Sequence, residues 1–241
     1  MSTIRKAGSR SQSDPADRST TFFWDSLSFS LPASACTLDG FVAWAISEDY
    51  PQRGRFSFMN KEIVVDLSPE EIEAHAKVRT AVSGVISNLN RELDLGEFFT
   101  AGALVTNVAA DWATEPDGTL IKWRSFQTKR VRLVPSKDAP GEYKEIRGRP
   151  DWIMEVVSCA SIRKDTILLR RAYHRAGIPE YWLINALDKD IDFQILVRRQ
   201  KDYKAVVPQD GWCFSPVFGR SFRLERGRNR MRRWEYKLHV K

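Results

Sequence analysis

The chain has 241 residues, 42% of them hydrophobic, with eight Trp and thirteen Phe. It can therefore bury the core of one ordinary-to-large domain and is not an unstructured chain. It contains no run of about 18 apolar residues, which excludes a helical membrane span, and its polar first twenty residues lack a signal-peptide h-region. Cys36, Cys159 and Cys213 form no CxxC pair. That argues against a zinc cage or a disulfide framework and fits a reducing cytoplasm, with the three read as small buried hydrophobes.

The net charge of +7 is uneven. From Arg220 to Lys241 nine Lys/Arg stand against Glu225 and Glu235, so this stretch carries all of the excess and the rest is neutral. Such a basic C-terminal tail over 220–241 suits either polyphosphate binding by counterion release or a solvated surface segment.

In chain order, residues 1–20 are rich in Ser, Arg and Asp and are expected to be disordered, leaving 21–219 as a single domain. A short helix is expected over 38–47. Residues 54–66 alternate apolar and polar and read as a hairpin with Asn60-Lys61 at its turn. Ser68-Pro69-Glu70-Glu71 has the features of a helix start. His75, Val78, Val82, Val85, Leu89 and Leu93 then recur at helical spacing and mark a buried face to Leu93. On spacing alone His75 reads as a core histidine.

Strands are expected over 103–108, 119–123 and 131–134, followed by a polar loop from Pro135 to Pro150. Trp152–Val157 is an apolar strand with one acid in it. Ser161 or Asp165 caps a helix running to Ala176, stopped by Gly177. A buried strand over 181–184 and a hairpin-like pair at 192–198 and 203–207 complete an α/β pattern.

Asp117 and Glu155 carry the chemistry. A carboxylate inside an apolar strand, such as Glu155, is expensive to bury unless it is paired, protonated or bound to metal. Asp117 follows a proline at the mouth of a strand, where a side chain can be aimed at a site, although Pro116-Asp117-Gly118 is also ordinary turn chemistry. Paired oxygen donors suit Mg²⁺ or Mn²⁺.

The stretch Glu155-Val156-Val157-Ser158, Asp165, Tyr173 and Gly177-Ile178-Pro179-Glu180-Tyr181-Trp182 closely resembles the Uma-type family of restriction endonucleases, in the PD-(D/E)XK nuclease superfamily. Upstream, Glu62, Ser68-Pro69, His75 and Glu115-Pro116-Asp117 fall where that family has its first strand pair, its helix histidine and its Pro-Asp. The resemblance spans Arg55 to Ala186. It implies a restriction-endonuclease-like α/β fold, a mixed sheet flanked by helices, with Asp117 and Glu155 converging on a metal and His75 pointing toward it. A second Pro-Asp, Pro150-Asp151, begins the same strand as Glu155. Its Asp lies about 13 Å away at roughly 3.3 Å per residue, too far to share one ion, so Asp151 reads as a strand-end residue.

The sequence departs from that pattern in three places. The superfamily lysine two residues after the Glu is Val157, and the position where the Uma-type family often carries it on the next helix is Leu169. Lys164 is the first candidate to replace it and Arg170 the second, the latter for electrostatic work because arginine stays protonated. Asn185 stands where the family commonly has Asp. The expected function is a cytoplasmic Mg²⁺- or Mn²⁺-dependent endonuclease that hydrolyses DNA with a metal-activated water held by Asp117 and Glu155. The alternative is a catalytically weak or inactive nuclease-fold protein that binds nucleic acid or a protein partner. Related folds often act as homodimers, although no residue here identifies a dimer surface.

Overall fold

The alternating stretch after Gly54 forms its expected hairpin in this computed structural model, which describes residues 5–6, 19–24, 27–136 and 139–241. Most of the segment expected to be disordered, 1–20, lies outside the described residues. Strands β1 (Arg5–Lys6), β2 (Ser19–Trp24) and β3 (Leu27–Pro32) make a small antiparallel sheet ahead of helix α1 (Leu38–Ala45). Thr37 caps α1 by accepting the Gly40 N–H at 3.2 Å. Strands β4 (Arg55–Met59) and β5 (Glu62–Asp66) follow. Asn60 and Lys61 between them have φ of 52° and 64°, the left-handed pair that a two-residue hairpin turn requires.

The helix read from the apolar stripe begins as a π-helical turn, Ile72–Ala76, and continues as α2 (Lys77–Leu93). Ser68 is not its cap: its N–H and hydroxyl both donate to Asp66. Val78, Val82, Ile86 and Leu89 are buried. Strands β6 (Gly96–Thr100), β7 (Val105–Asn107), β8 (Trp112–Thr114) and β9 (Gly118–Lys122) lead to the short helix α3 (Trp123–Gln127). Next come β10 (Val131–Pro135), β11 (Tyr143–Gly148) and β12 (Trp152–Val156). Here β11 corrects the expected loop. Ile146 is buried in this charged stretch, and β11 lies between β10 and β7, whose hydrogen bonds hold it extended.

A second π-helical turn, Lys164–Leu169, opens α4 (Arg170–Ala176), which ends at Gly177 with φ 79°. Strands β13 (Glu180–Asn185), β14 (Asp192–Arg198) and β15 (Tyr203–Ala205) complete a six-stranded mixed sheet in the order β15-β14-β13-β12-β9-β6. The central strand β12 pairs parallel with β13 and antiparallel with β9, and all five of its residues are buried. Trp152, Met154 and Val156 face α2. Ile153 and Val157 face the other side, where α4 and the sheet of β10, β11, β7, β8, β4 and β5 pack. Glu155 shares this second face by alternation.

Residues 220–241, read from their charge as a tail, are folded instead. Strands β16 (Cys213–Ser215), β17 (Arg220–Arg228) and β18 (Trp234–Val240) form an antiparallel sheet. Phe222, Tyr236 and Leu238 join the core beneath α2, and their burial holds the charged strands in place. The cysteine expectation holds only in part: Cys213 is buried, whereas Cys36 and Cys159 are exposed, and all three are free thiols. No helix is long and apolar enough to cross a membrane among the described residues.

Candidate functional site

Register brings the two carboxylates together. Antiparallel pairing sets Gly118 opposite Met154 and Thr119 opposite Ile153, so one further step places Asp117 beside Glu155 on neighbouring strands. The Val156 N–H confirms the juxtaposition by donating to Asp117 Oδ2 at 2.8 Å. Both side chains are buried, Asp117 at 6% exposure and Glu155 at 2%.

The helix ends supply the cations. His75, in the π-helical turn before α2, places Nε2 3.2 Å from Asp117 Oδ2 and Nδ1 2.7 Å from Glu70 Oε1. One turn later Arg79 reaches Asp117 Oδ1 at 3.4 Å and Glu70 at 2.9 Å. Across the site, Lys164 lies 2.6 Å from Asp165 Oδ1. Ser161 donates its hydroxyl to the other oxygen of Asp165, and the Tyr173 hydroxyl donates to Glu155 Oε1 at 2.5 Å. Each helix thus opens with a π-helical turn, one carrying His75 and the other Lys164 and Asp165. Such turns are rare and cluster at functional sites.

Charge and burial set the protonation states. Burial pushes the Glu155 carboxyl upward, nearby Asp165 and Asp117 add to the effect, and despite Lys164 its pKa reaches about 8. Asp165 is raised too, chiefly by burial. Burial acts on Asp117 in the same direction but is outweighed. Hydrogen bonding and charge from His75, the Val156 N–H and Arg79 hold it below the ordinary carboxylate value. Burial would depress His75, yet Asp117 and Glu70 raise it. Burial likewise opposes charge on Lys164, but Glu155 and Asp165 prevail and keep it protonated. Lys164 is thus a protonated, buried charge beside Asp165.

Several expectations from sequence are placed elsewhere. Arg170, the second candidate for the lysine's role, pairs with Asp202 at 2.9 Å and donates to the Tyr203 carbonyl, because α4 turns that side chain outward. Val157 and Leu169 are fully buried core residues. Asn185 accepts the Leu187 N–H at 3.0 Å in a turn. Asp151 is tied to Arg130, the Ser125 hydroxyl and the Lys122 N–H, as a strand-end residue would be. Arg79, Glu70 and the Tyr173 contact escaped the sequence reading. Arg79 had a signal, since it lies four residues after His75 and so shares its helix face.

Glu180, in the most specific part of the motif, is structural. Its carboxylate accepts from the Trp182 indole at 2.7 Å, the Ser215 hydroxyl at 2.5 Å and the Val217 N–H at 3.2 Å, tying β13 to the C-terminal sheet.

The donor set can be tested against a divalent cation. Among the described residues no three His, Cys, Asp or Glu side chains form a ready metal cage. Mg²⁺ does not require one, because it is typically held by one or two carboxylates plus water and substrate phosphate. Burial, with the charges of Asp165 and Asp117 added to it, keeps Glu155 protonated to about 8, and a dication would oppose both by favouring the carboxylate. Asp117 and Glu155 therefore fit a hard divalent ion.

The mixed sheet flanked by helices, which sets Asp117 beside Glu155 and opens the next helix with Lys164, is the arrangement that the resemblance to the PD-(D/E)XK nucleases implies, a protein of the nuclease-fold class. In keeping with this, a "putative nuclease belonging to DUF820" from Anabaena variabilis ATCC 29413 shares the fold, with a TM-score of 0.55 at 19% identity over 76% of this chain and 90% of that one. The model of the Uma2 family, described as "Putative restriction endonuclease", matches residues 39–225, and the chain belongs to that family. No curated protein matches it.

Proposed function

We propose that the chain is a Mg²⁺- or Mn²⁺-dependent endonuclease that hydrolyses DNA phosphodiester bonds, with Asp117 and Glu155 as the metal-holding pair. The observation that carries this reading is the convergence of those two buried carboxylates with Lys164 beside them. When bound, the cation activates water and offsets charge building on the phosphodiester.

The chain's own residues have separable roles. Asp117 is ionised, and His75 and Arg79 fix its orientation. Lys164 presents a desolvated positive charge to the reacting phosphate and is worth more there than in water. Tyr173 orients Glu155, and α4 and the core behind it exclude bulk water from that carboxyl. Nicking of supercoiled plasmid in Mg²⁺ tests the assignment. Asp117→Ala and Glu155→Ala should each abolish it, and undiminished cutting by both variants would refute the site. One observation favours binding without cutting: Lys164 is engaged with Asp165, and Val157 and Leu169 offer no substitute. That reading predicts metal-independent DNA binding with no nicking.

A further inference from the structure

We propose that Arg228 at the end of β17 and the loop 229–233 leading into β18 form a preformed arm that grips the phosphate backbone of a DNA duplex beside the carboxylates. The inference rests on the nuclease reading for the substrate's position. It extends that reading to a loop beyond the family match, which ends at residue 225.

Charge is the first ground. Arg228, Arg230, Arg232 and Arg233 fall within six residues that contain no acid, and all four are exposed. Glu225, farther down β17, is engaged with Arg223 at 2.9 Å and His239 at 2.8 Å. Glu73 is near enough to feel the charge of Arg233; crowding the other three like charges at the loop tip works against folding unless an anion meets them. The apolar packing of this hairpin rests on Phe222, Tyr236 and Leu238; Arg228 lies over the Trp234 ring, whereas Arg230 and Arg232 are exposed.

Rigidity is the second. The Asn229 side chain accepts the N–H groups of Met231 at 3.0 Å and Arg233 at 3.1 Å. The Asn229 backbone exchanges hydrogen bonds with Arg233 at 2.9 Å and Arg232 at 2.8 Å, with Arg232 at φ 58°. Arg228 donates to the Arg232 carbonyl at 2.9 Å. The Arg226 and Arg228 guanidiniums lie 4.2 Å and 3.2 Å from the Trp234 ring centre. A loop closed on itself in this way loses little entropy on binding, and stacked guanidinium is only weakly hydrated.

Position is the third. Trp234, where the loop re-enters β18, donates its N–H to Glu73 at 2.9 Å, and its carbonyl accepts from Lys77 at 2.9 Å. Glu73 lies two residues before His75, which touches Asp117. A helix with its side chains is about 10–12 Å across, so the base of the loop at Trp234 stands roughly one helix diameter from the carboxylates. The grooves of B-DNA are about 6 and 12 Å wide. A duplex with one phosphate at the carboxylates thus brings phosphates across a groove within reach of the loop.

Fluorescence anisotropy with a labelled DNA duplex, titrated in EDTA across a salt series, tests the arm without any requirement for cutting. Arg230→Ala/Arg232→Ala should weaken binding about tenfold or more and lower the slope of log K against log salt by about two, one for each lost phosphate contact. Arg230→Lys/Arg232→Lys should restore the slope. An unchanged slope in the Ala variant, no DNA binding by the parent chain, or an equal loss in an Arg171→Ala/Lys201→Ala control on another exposed basic face would each overturn the proposal. Loop-dependent binding by a chain that never nicks plasmid supports the arm and overturns the catalytic reading. Nicking with unaltered affinity in Arg230→Ala/Arg232→Ala overturns the arm alone.

Discussion

Replacing Glu155 by Gln should stabilise the metal-free protein at alkaline pH while abolishing its cutting. In the unfolded chain this carboxyl releases its proton near 4.5, whereas in the folded protein burial among Asp165 and Asp117 holds the proton to about 8. Between those values the folded state binds more protons than the unfolded state. Wild-type stability therefore falls as pH rises through that window and levels off above it. At about 1.4 kcal/mol per pH unit the full displacement amounts to on the order of 5 kcal/mol. Gln has no proton to lose and escapes this slope, and its oxygen can still accept from Tyr173. A domain of this size gains roughly 2–4 °C in Tm per kcal/mol, so even half of the effect is measurable. Calorimetry in EDTA should find E155Q close to wild type at pH 5 and several degrees higher at pH 9. Mg²⁺ should raise the wild-type Tm at pH 9 and leave that of E155Q unmoved. A variant that is destabilised equally at both pH values would refute this account of the site.

Three further outcomes follow from named contacts. Lys164→Gln keeps a polar end on a side chain one atom shorter and removes the desolvated charge. It should lower kcat about a hundredfold with little change in KM, as loss of a preorganised charge does, and undiminished single-turnover cutting would remove Lys164 from the site. Glu180→Ala strands the Trp182, Ser215 and Val217 donors, each unsatisfied group costing about 1–3 kcal/mol. Chemical denaturation should show a loss of several kcal/mol. Gly177→Ala forces a Cβ onto a residue at φ 79° and within 3.0 Å of the Arg149 guanidinium. About 1 kcal/mol of stability should be lost, and an unchanged denaturation midpoint would contradict the left-handed assignment.

Local signals carried the elements whose geometry is local. The alternation around Asn60-Lys61 specified the β4–β5 hairpin, the apolar stripe specified α2, and Gly177 stopped α4 where left-handed backbone was needed. Strand β11 was hidden because its single buried apolar residue, Ile146, sits among charges, and only its neighbours β10 and β7 hold it extended. The C-terminal hairpin was hidden for a similar reason: net charge drew attention away from the alternation of Phe222 with Leu224 and of Tyr236 with Leu238. Of the site, the motif supplied Asp117, Glu155 and His75, and nearness in sequence to the missing lysine positions supplied Lys164, but neither gave Arg79 or Glu70, which complete the ring of charge around Asp117.

By itself, the sequence determined which residue types this protein has available: an acid in an apolar strand, a Pro-Asp at a strand mouth, and the Glu155-to-Trp182 stretch that ties it to its family. Tertiary structure decided which of them meet. Strand register put Asp117 beside Glu155, and a π-helical turn aimed Lys164 inward while Arg170 faced out. Burial raised one carboxyl and charge lowered the other. These outcomes depend on distances between segments far apart in the chain, which no local pattern encodes.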